Sequence, residues 1–263
     1  MKTLQMLLVF LFSAGILAAQ DAATETAAGV YNDGLAALKA KDYGKAYDLM
    51  LKSIEIADPA ADAQVLKLAK GNGALAAYYA GNEDAKEGKF EDAMMKYDKG
   101  IELSGNNYVN YYGKAKAMDD QGLVADAVGA YIKAAEVATA GKKADRAEKY
   151  LSRAENMIAV SYGDKKYDDA VAAAEVYLAN HESKDVSYYL AKSLVEKGMA
   201  GDAVAHAEKA KELGGSEDEG KYILGLAEVY EAAGNKVAAA DAYSKVPKGK
   251  YYDHAQYKAG QLK

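Results

Sequence analysis

A small residue recurs along this chain at nearly even intervals, and that repetition limits the fold more than any other feature. Ala46, Ala93, Ala127, Ala170, Ala203 and Ala239 stand 47, 34, 43, 33 and 36 residues apart, so a period near 34 shows through insertions in the first and third gaps. The unit is plainest around Ala93, in the stretch YYAGNEDAKEGKFEDAMMKYDKGIEL. It reads as two helices, Tyr78 to about Glu87 and Phe90 to Leu103, joined at Gly88. Gly81, Ala93 and Gly100 are small where two backbones must come close, and Phe90, Tyr97, Ile101 and Leu103 are large where gaps must be filled. One hairpin of this size buries too little apolar surface to stand alone, so copies must stack on one another.

Composition agrees with a helical stack. There are 2 prolines in 263 residues, few enough for a mostly helical chain, because each proline inside a helix removes a hydrogen bond and adds a clash. The formal charge of -6 and pI near 5.3 argue against a nucleic-acid groove, which needs a basic stripe, and against docking on an anionic membrane. No cysteine is present, which removes disulfides, thiol catalysis, thiolate metal sites and a lipid anchor on an N-terminal cysteine.

The first twenty residues have the layout of a secretory signal: Met1-Lys2, the apolar run LLVFLFSAGIL, then Ala18-Ala19-Gln20. The run is too short for a permanent membrane span. The expectation is a signal peptide over 1–20, cleaved after Ala19 or Gln20. The mature product, 21–263, would be exported to the periplasm or secreted, with no membrane anchor.

Aligned on the recurring alanines, the hairpins resemble the tetratricopeptide repeat. That pattern has a small residue at position 8, alanine at 20, an aromatic near 24 and a small residue at 27. The copies run over about 27–60, 74–107, 108–141, 151–184, 184–217 and 220–251, with a capping helix over about 251–262. The resemblance covers nearly all of the mature chain and implies an all-α fold, a right-handed α-solenoid of about six helical hairpins with a C-terminal cap. Residues 61–70 are helical in pattern and Gly71-Asn72-Gly73 reads as a break after them, while 142–150 reads as an extension of the first helix of repeat four. That repeat departs most from the pattern, with Ile158 at position 8 and Tyr177 at 27. Small partners at Ala170 and Ala174 would compensate.

Residues that could carry chemistry are scattered. His181, His206 and His254 have no i, i+4 pairing, and Asp and Glu alternate with Lys as on a solvated helix face. Asp119-Asp120 and Asp168-Asp169 are adjacent, so their side chains diverge on a helix. No phosphate-cradling or nucleophile motif appears. The sequence predicts no enzyme, no metal site and no cofactor.

The 22 tyrosines carry more information. The resemblance implies that first-helix positions 5 and 9 line a concave surface. Position 5 is Tyr31, Tyr78, Tyr112, Glu155, Tyr188 and Leu224; position 9 is Leu35, Asn82, Lys116, Ala159, Lys192 and Glu228. Rings interleaved with Asn and Lys suit a peptide-binding groove, because tyrosine brings a large area, a polar tip and little entropy to lose. The same rings read equally as packing residues, and both readings stand at this point. Some members of the family clamp a C-terminal carboxylate with Lys and Asn. Tyr31 and Leu35 occupy those places in the first repeat, so that ligand class is not expected.

The expected function is a non-enzymatic interaction scaffold that binds a peptide or partner protein, with Tyr31, Tyr78, Asn82, Tyr112, Lys116, Tyr188 and Lys192 as candidate contacts. Two alternatives are an oligosaccharide-binding module whose rings stack on sugars, and an envelope-assembly component that works through its convex face.

Overall fold

The computed structural model describes residues 25–214 and 220–262; the expected signal segment and the join between repeats five and six lie outside them. Among the described residues there are thirteen α-helices and no strand. They form six hairpins: α1 (Ala27–Ala40) with α2 (Tyr43–Ile56), α3 (Ala63–Lys86) with α4 (Phe90–Leu103), α5 (Tyr108–Asp120) with α6 (Val124–Ala140), α7 (Ala144–Gly163) with α8 (Tyr167–Leu178), α9 (Lys184–Glu196) with α10 (Ala200–Gly214), and α11 (Lys221–Ala232) with α12 (Lys236–Ser244). A final helix, α13 (Tyr252–Gln261), packs on α12. The expected all-α stack of six hairpins with a cap is the observed architecture.

Local chemistry sets the helix starts. The side chains of Thr26, Asp42, Asn107, Ser183 and Asn235 each accept a hydrogen bond from a backbone N–H in the first turn that follows, which satisfies a donor the helix cannot. Four of the six hairpin turns place a glycine in the left-handed region: Gly88, Gly122, Gly198 and Gly234. The other two place Lys41 and Lys165 there. Pro247 lies three residues beyond the end of α12, consistent with its reading as a stop.

The seams within hairpins are built from complementary sizes. Gly34 faces the Met50 side chain, and Gly81 faces the Tyr97 ring so closely that an added Cβ would lie 2.7 Å from its Cε1. In repeat four the order reverses. Ile158 and Tyr177 are both buried, in one core cluster that also holds Ala173 and Ala174, and Ala170 is buried as well. The two large residues and the small ones expected to offset them thus share the interior, where close packing makes each side chain's volume count.

One expectation is corrected. Gly71-Asn72-Gly73 does not break the chain: α3 runs unbroken through it for 24 residues. Asn72 bonds the Leu68 carbonyl within the helix (3.1 Å) and the Tyr31 hydroxyl across to α1 (2.9 Å). Gly73 is buried, and a Cβ there would lie 3.3 Å from Met50 Cβ and 3.2 Å from Leu103 Cδ1. The glycine serves close approach between helices rather than a turn. Residues 142–150 do lengthen the first helix of repeat four, since α7 starts at Ala144.

The stack is not uniform. First helices pack on their successors at α1–α3, α3–α5, α7–α9 and α9–α11, but α5 and α7 do not approach in that way. At that junction α6 packs on α8 instead. Closing the second-helix side while separating the first helices opens a wedge, and the wedge positions the site described next.

Candidate partner-binding furrow

Two hollows lie side by side along the first helices of repeats two, three and four. The first, about 290 Å³, is lined by Tyr78, Asn82, Ala85 and Lys86 of α3, Tyr97 of α4, and Tyr112, Gly113, Lys116, Ala117 and Asp120 of α5. The second, also about 290 Å³, is lined by Tyr112, Lys116 and Asp120 of α5, Tyr131 of α6, and Lys149, Tyr150 and Arg153 of α7. Three α5 residues, Tyr112, Lys116 and Asp120, belong to both, so the two make one continuous furrow.

Aromatic packing fixes the floor. The Tyr97 ring sits between two glycines, and a Cβ on Gly113 would come within 2.5 Å of it, as one on Gly81 would come within 2.7 Å. Its hydroxyl donates to Asn82 Oδ1 at 2.7 Å, which holds the amide at the furrow wall. Tyr112 stacks on Tyr150 across the α5–α7 wedge, with ring centroids 5.0 Å apart and planes 24° from parallel, and contacts Tyr131 at 6.0 Å. Offset ring pairs of this kind contribute roughly 0.5–1.5 kcal/mol beyond the area they bury. Burial pushes the Tyr131 and Tyr150 hydroxyls up to about 12 and raises those of Tyr78 and Tyr97. These phenols are therefore neutral near pH 7 and offer ring faces and hydrogen bonds, not a base or a nucleophile.

Charge sits on the rim. Lys116 pairs with Asp120 at 2.5 Å and Arg153 with Asp119 at 2.7 Å, both with half-exposed cations. Lys86 and Lys149 are exposed and make no hydrogen bond or ion pair among the described residues. The two adjacent carboxylates diverge as read from sequence, Asp119 toward α7 and Asp120 along α5.

The sequence-derived candidates fall into three groups. Tyr78, Asn82, Tyr112 and Lys116 come together in the furrow. Tyr31 stands apart, half-buried, with its hydroxyl accepting from Asn72. Tyr188 and Lys192 form a separate cluster at the α9–α11 seam. Tyr188 lies over Gly225 and meets the Tyr222 ring edge-on at 5.7 Å, with the Lys221 ammonium 4.7 Å from its centroid. Lys192 is paired with Glu228 at 2.7 Å; burial works to lower its pKa, but the Glu228 bond and charge leave it raised. Tyr79, next to Tyr78 in the chain, stacks on Tyr43 at 4.6 Å.

Sequence reasoning missed Tyr150, Arg153, Lys149 and the furrow-facing role of Tyr97 and Tyr131. Tyr97 and Tyr131 occupy the aromatic position 24 of their repeats and were legible as core. Tyr150 lies one residue before the repeat-four frame, in the extension, where no repeat position pointed to it. Glu155, assigned to position 5 there, instead accepts a bond from the Tyr177 hydroxyl at 2.9 Å.

No family model and no curated relative matches this chain. The solved structures it is similar to include tetratricopeptide-repeat proteins. One, from a functional characterisation of Pseudomonas aeruginosa pilF, is 17% identical over 88% of this chain and 97% of its own, with a TM-score of 0.36. A tetratricopeptide repeat protein from Parabacteroides merdae is 13% identical over 90% and 98%, with a TM-score of 0.35. A thermophilic TPR protein of Thermus thermophilus is 16% identical over 90% and 98%, with a TM-score of 0.29. At such scores the likeness carries no argument about the site, and the fold rests on the packing of the chain's own helices.

Proposed function

We propose that this chain is an exported, non-enzymatic scaffold that holds an extended segment of a partner protein in the furrow along α3, α5 and α7. The observation that carries the reading is the continuity of two hollows through Tyr112, Lys116 and Asp120, with ring faces below and exposed charges above. Such a surface matches a peptide main chain with alternating side chains: rings supply area at low entropy cost, while Asn82 and the rim cations supply direction.

A photo-cross-linking amino acid at position 86, on the furrow rim, is expected to trap a defined partner in cells that express the protein. The same group at position 237, where Val237 is 83% exposed on α12, should not. Loss of the position-86 adduct in Tyr112→Ala is the expected control. Equal adducts at both positions, or an adduct indifferent to Tyr112→Ala, would count against the furrow. Export is tested separately by mass spectrometry of the purified protein, expected to begin at Gln20 or Asp21; an intact Met1 start would contradict it.

A specific observation favours the convex alternative as a second reading. A hollow of about 440 Å³ lies on the second-helix side, between Leu51, Ile54 and Glu55 of α2, Lys70 of α3, and Lys99, Glu102 and Leu103 of α4. Lys70 belongs to the turns that lengthen α3, so the first insertion builds part of that surface.

A further inference from the structure

The furrow has a charge imbalance opposite to that of the chain. Five cations border it: Lys86 on α3, Lys116 on α5, and Arg146, Lys149 and Arg153 on α7. The first two, Lys149 and Arg153 line the hollows. Arg146 stands one turn before Tyr150 on α7, four residues away on the same helix face, and its charge reaches the Tyr78 and Tyr150 hydroxyls. Three carboxylates act there, and each is already engaged, Asp84 by Lys96, Asp119 by Arg153 and Asp120 by Lys116. Lys86, Arg146 and Lys149 therefore remain unmatched among the described residues, in a protein whose formal charge is -6.

We infer that the furrow selects an acidic segment of its partner, one with two or three carboxylates spaced along an extended chain between Lys86 and Lys149. This deepens the reading above and rests on it. Three unmatched cations above a floor of neutral rings complement carboxylates joined by apolar or small residues, since each charge meets a cation while the main chain lies over Tyr112 and Tyr150. The existing pairs do not block this. Lys116 and Asp120 are an exposed i, i+4 pair, 52% and 40% exposed in their side chains. Such a pair is weak enough for the lysine to exchange partners when a second carboxylate arrives. A continuous polyanion such as a single-stranded nucleic acid fits less well, because the acidic surface beyond the furrow would repel its flanking phosphates.

Fluorescence anisotropy with three labelled octapeptides of identical spacing tests the inference. One carries three glutamates among Ala and Ser, one carries glutamine at those positions, and one carries lysine. An eight-nucleotide oligothymidine is the fourth probe. The glutamate peptide is expected to bind tightest, and to weaken as salt rises from 0.05 to 0.5 M because the screening length shrinks from about 14 to about 4 Å over that range. Reversing two unmatched cations, Lys86→Glu with Lys149→Glu, should weaken it about tenfold or more, as loss and inversion of steering charges does. Both residues are exposed and unpaired, so helical circular dichroism should be unchanged. Tighter binding of the glutamine or lysine peptide would overturn acidic selectivity while leaving the peptide furrow standing. Tighter binding of the oligonucleotide would overturn it in favour of a nucleic-acid ligand. If no peptide binds, both the selectivity and the furrow reading fall.

Discussion

Tyr97 shows how much a single side chain can depend on what its neighbours lack. Its ring reaches between α3 and α5 only because Gly81 and Gly113 present no Cβ, and its hydroxyl then fixes Asn82. Gly81→Ala and Gly113→Ala are each expected to lower unfolding free energy by about 1–3 kcal/mol through overpacking, read by urea denaturation. Gly71→Ala should do the opposite. That glycine is exposed in α3 with nothing near its missing Cβ, so alanine should add about 0.5–1 kcal/mol. Equal effects at positions 71 and 81 would refute the close-approach argument. Gly81 and Gly100 were legible in the sequence as close approaches because they recur at repeat positions. Gly73 was not. Sequence alone does not tell a turn glycine from one that lets another helix come near, and at Gly73 the Met50 and Leu103 side chains beside it decide.

The last three helices are tied together by one carboxylate on α11. Glu231 accepts from Lys258 of α13 at 2.7 Å and from the Tyr243 hydroxyl of α12 at 2.6 Å. The Lys258 bond first, then the Tyr243 hydroxyl, holds its pKa below the ordinary 4.5. An acid with a depressed pKa stabilises the fold fully above its unfolded value and loses that contribution as pH falls through the folded one. The protection factors for hydrogen exchange in α13, taken against the intrinsic rate at each pH, should therefore fall below about pH 4.5 before those in α5 or α6 do. Glu231→Gln should remove that pH step, and α13 protection factors that are the same at pH 3 and 6 would contradict the assignment. At this scale the hairpins and the cap were readable from spacing, because period and turn residues are local. The α5–α7 wedge was not, since it depends on which helices pack on one another across repeats, and local spacing does not show that. Tyr150, carried in by the lengthened α7, was invisible for the same reason.

As a whole the chain is a row of hairpins whose regular repeats set up a surface and whose irregular fourth repeat opens it. Regular stacking brings Tyr78, Asn82, Tyr112 and Lys116 into line; the irregular junction adds Tyr150, Lys149 and Arg153. Tyr31 and the Tyr188–Lys192 cluster lie outside this line, so Tyr188→Ala should leave binding in the furrow unchanged while Tyr112→Ala weakens it several-fold, measured by anisotropy. The central claim is that a partner segment lies on the first helices at the junction of repeats three and four. Amide hydrogen exchange with and without the glutamate octapeptide tests it most directly. Added protection confined to α3, α5 and the first half of α7 is the expected result, and protection appearing on α2, α4 and α12 instead would contradict it.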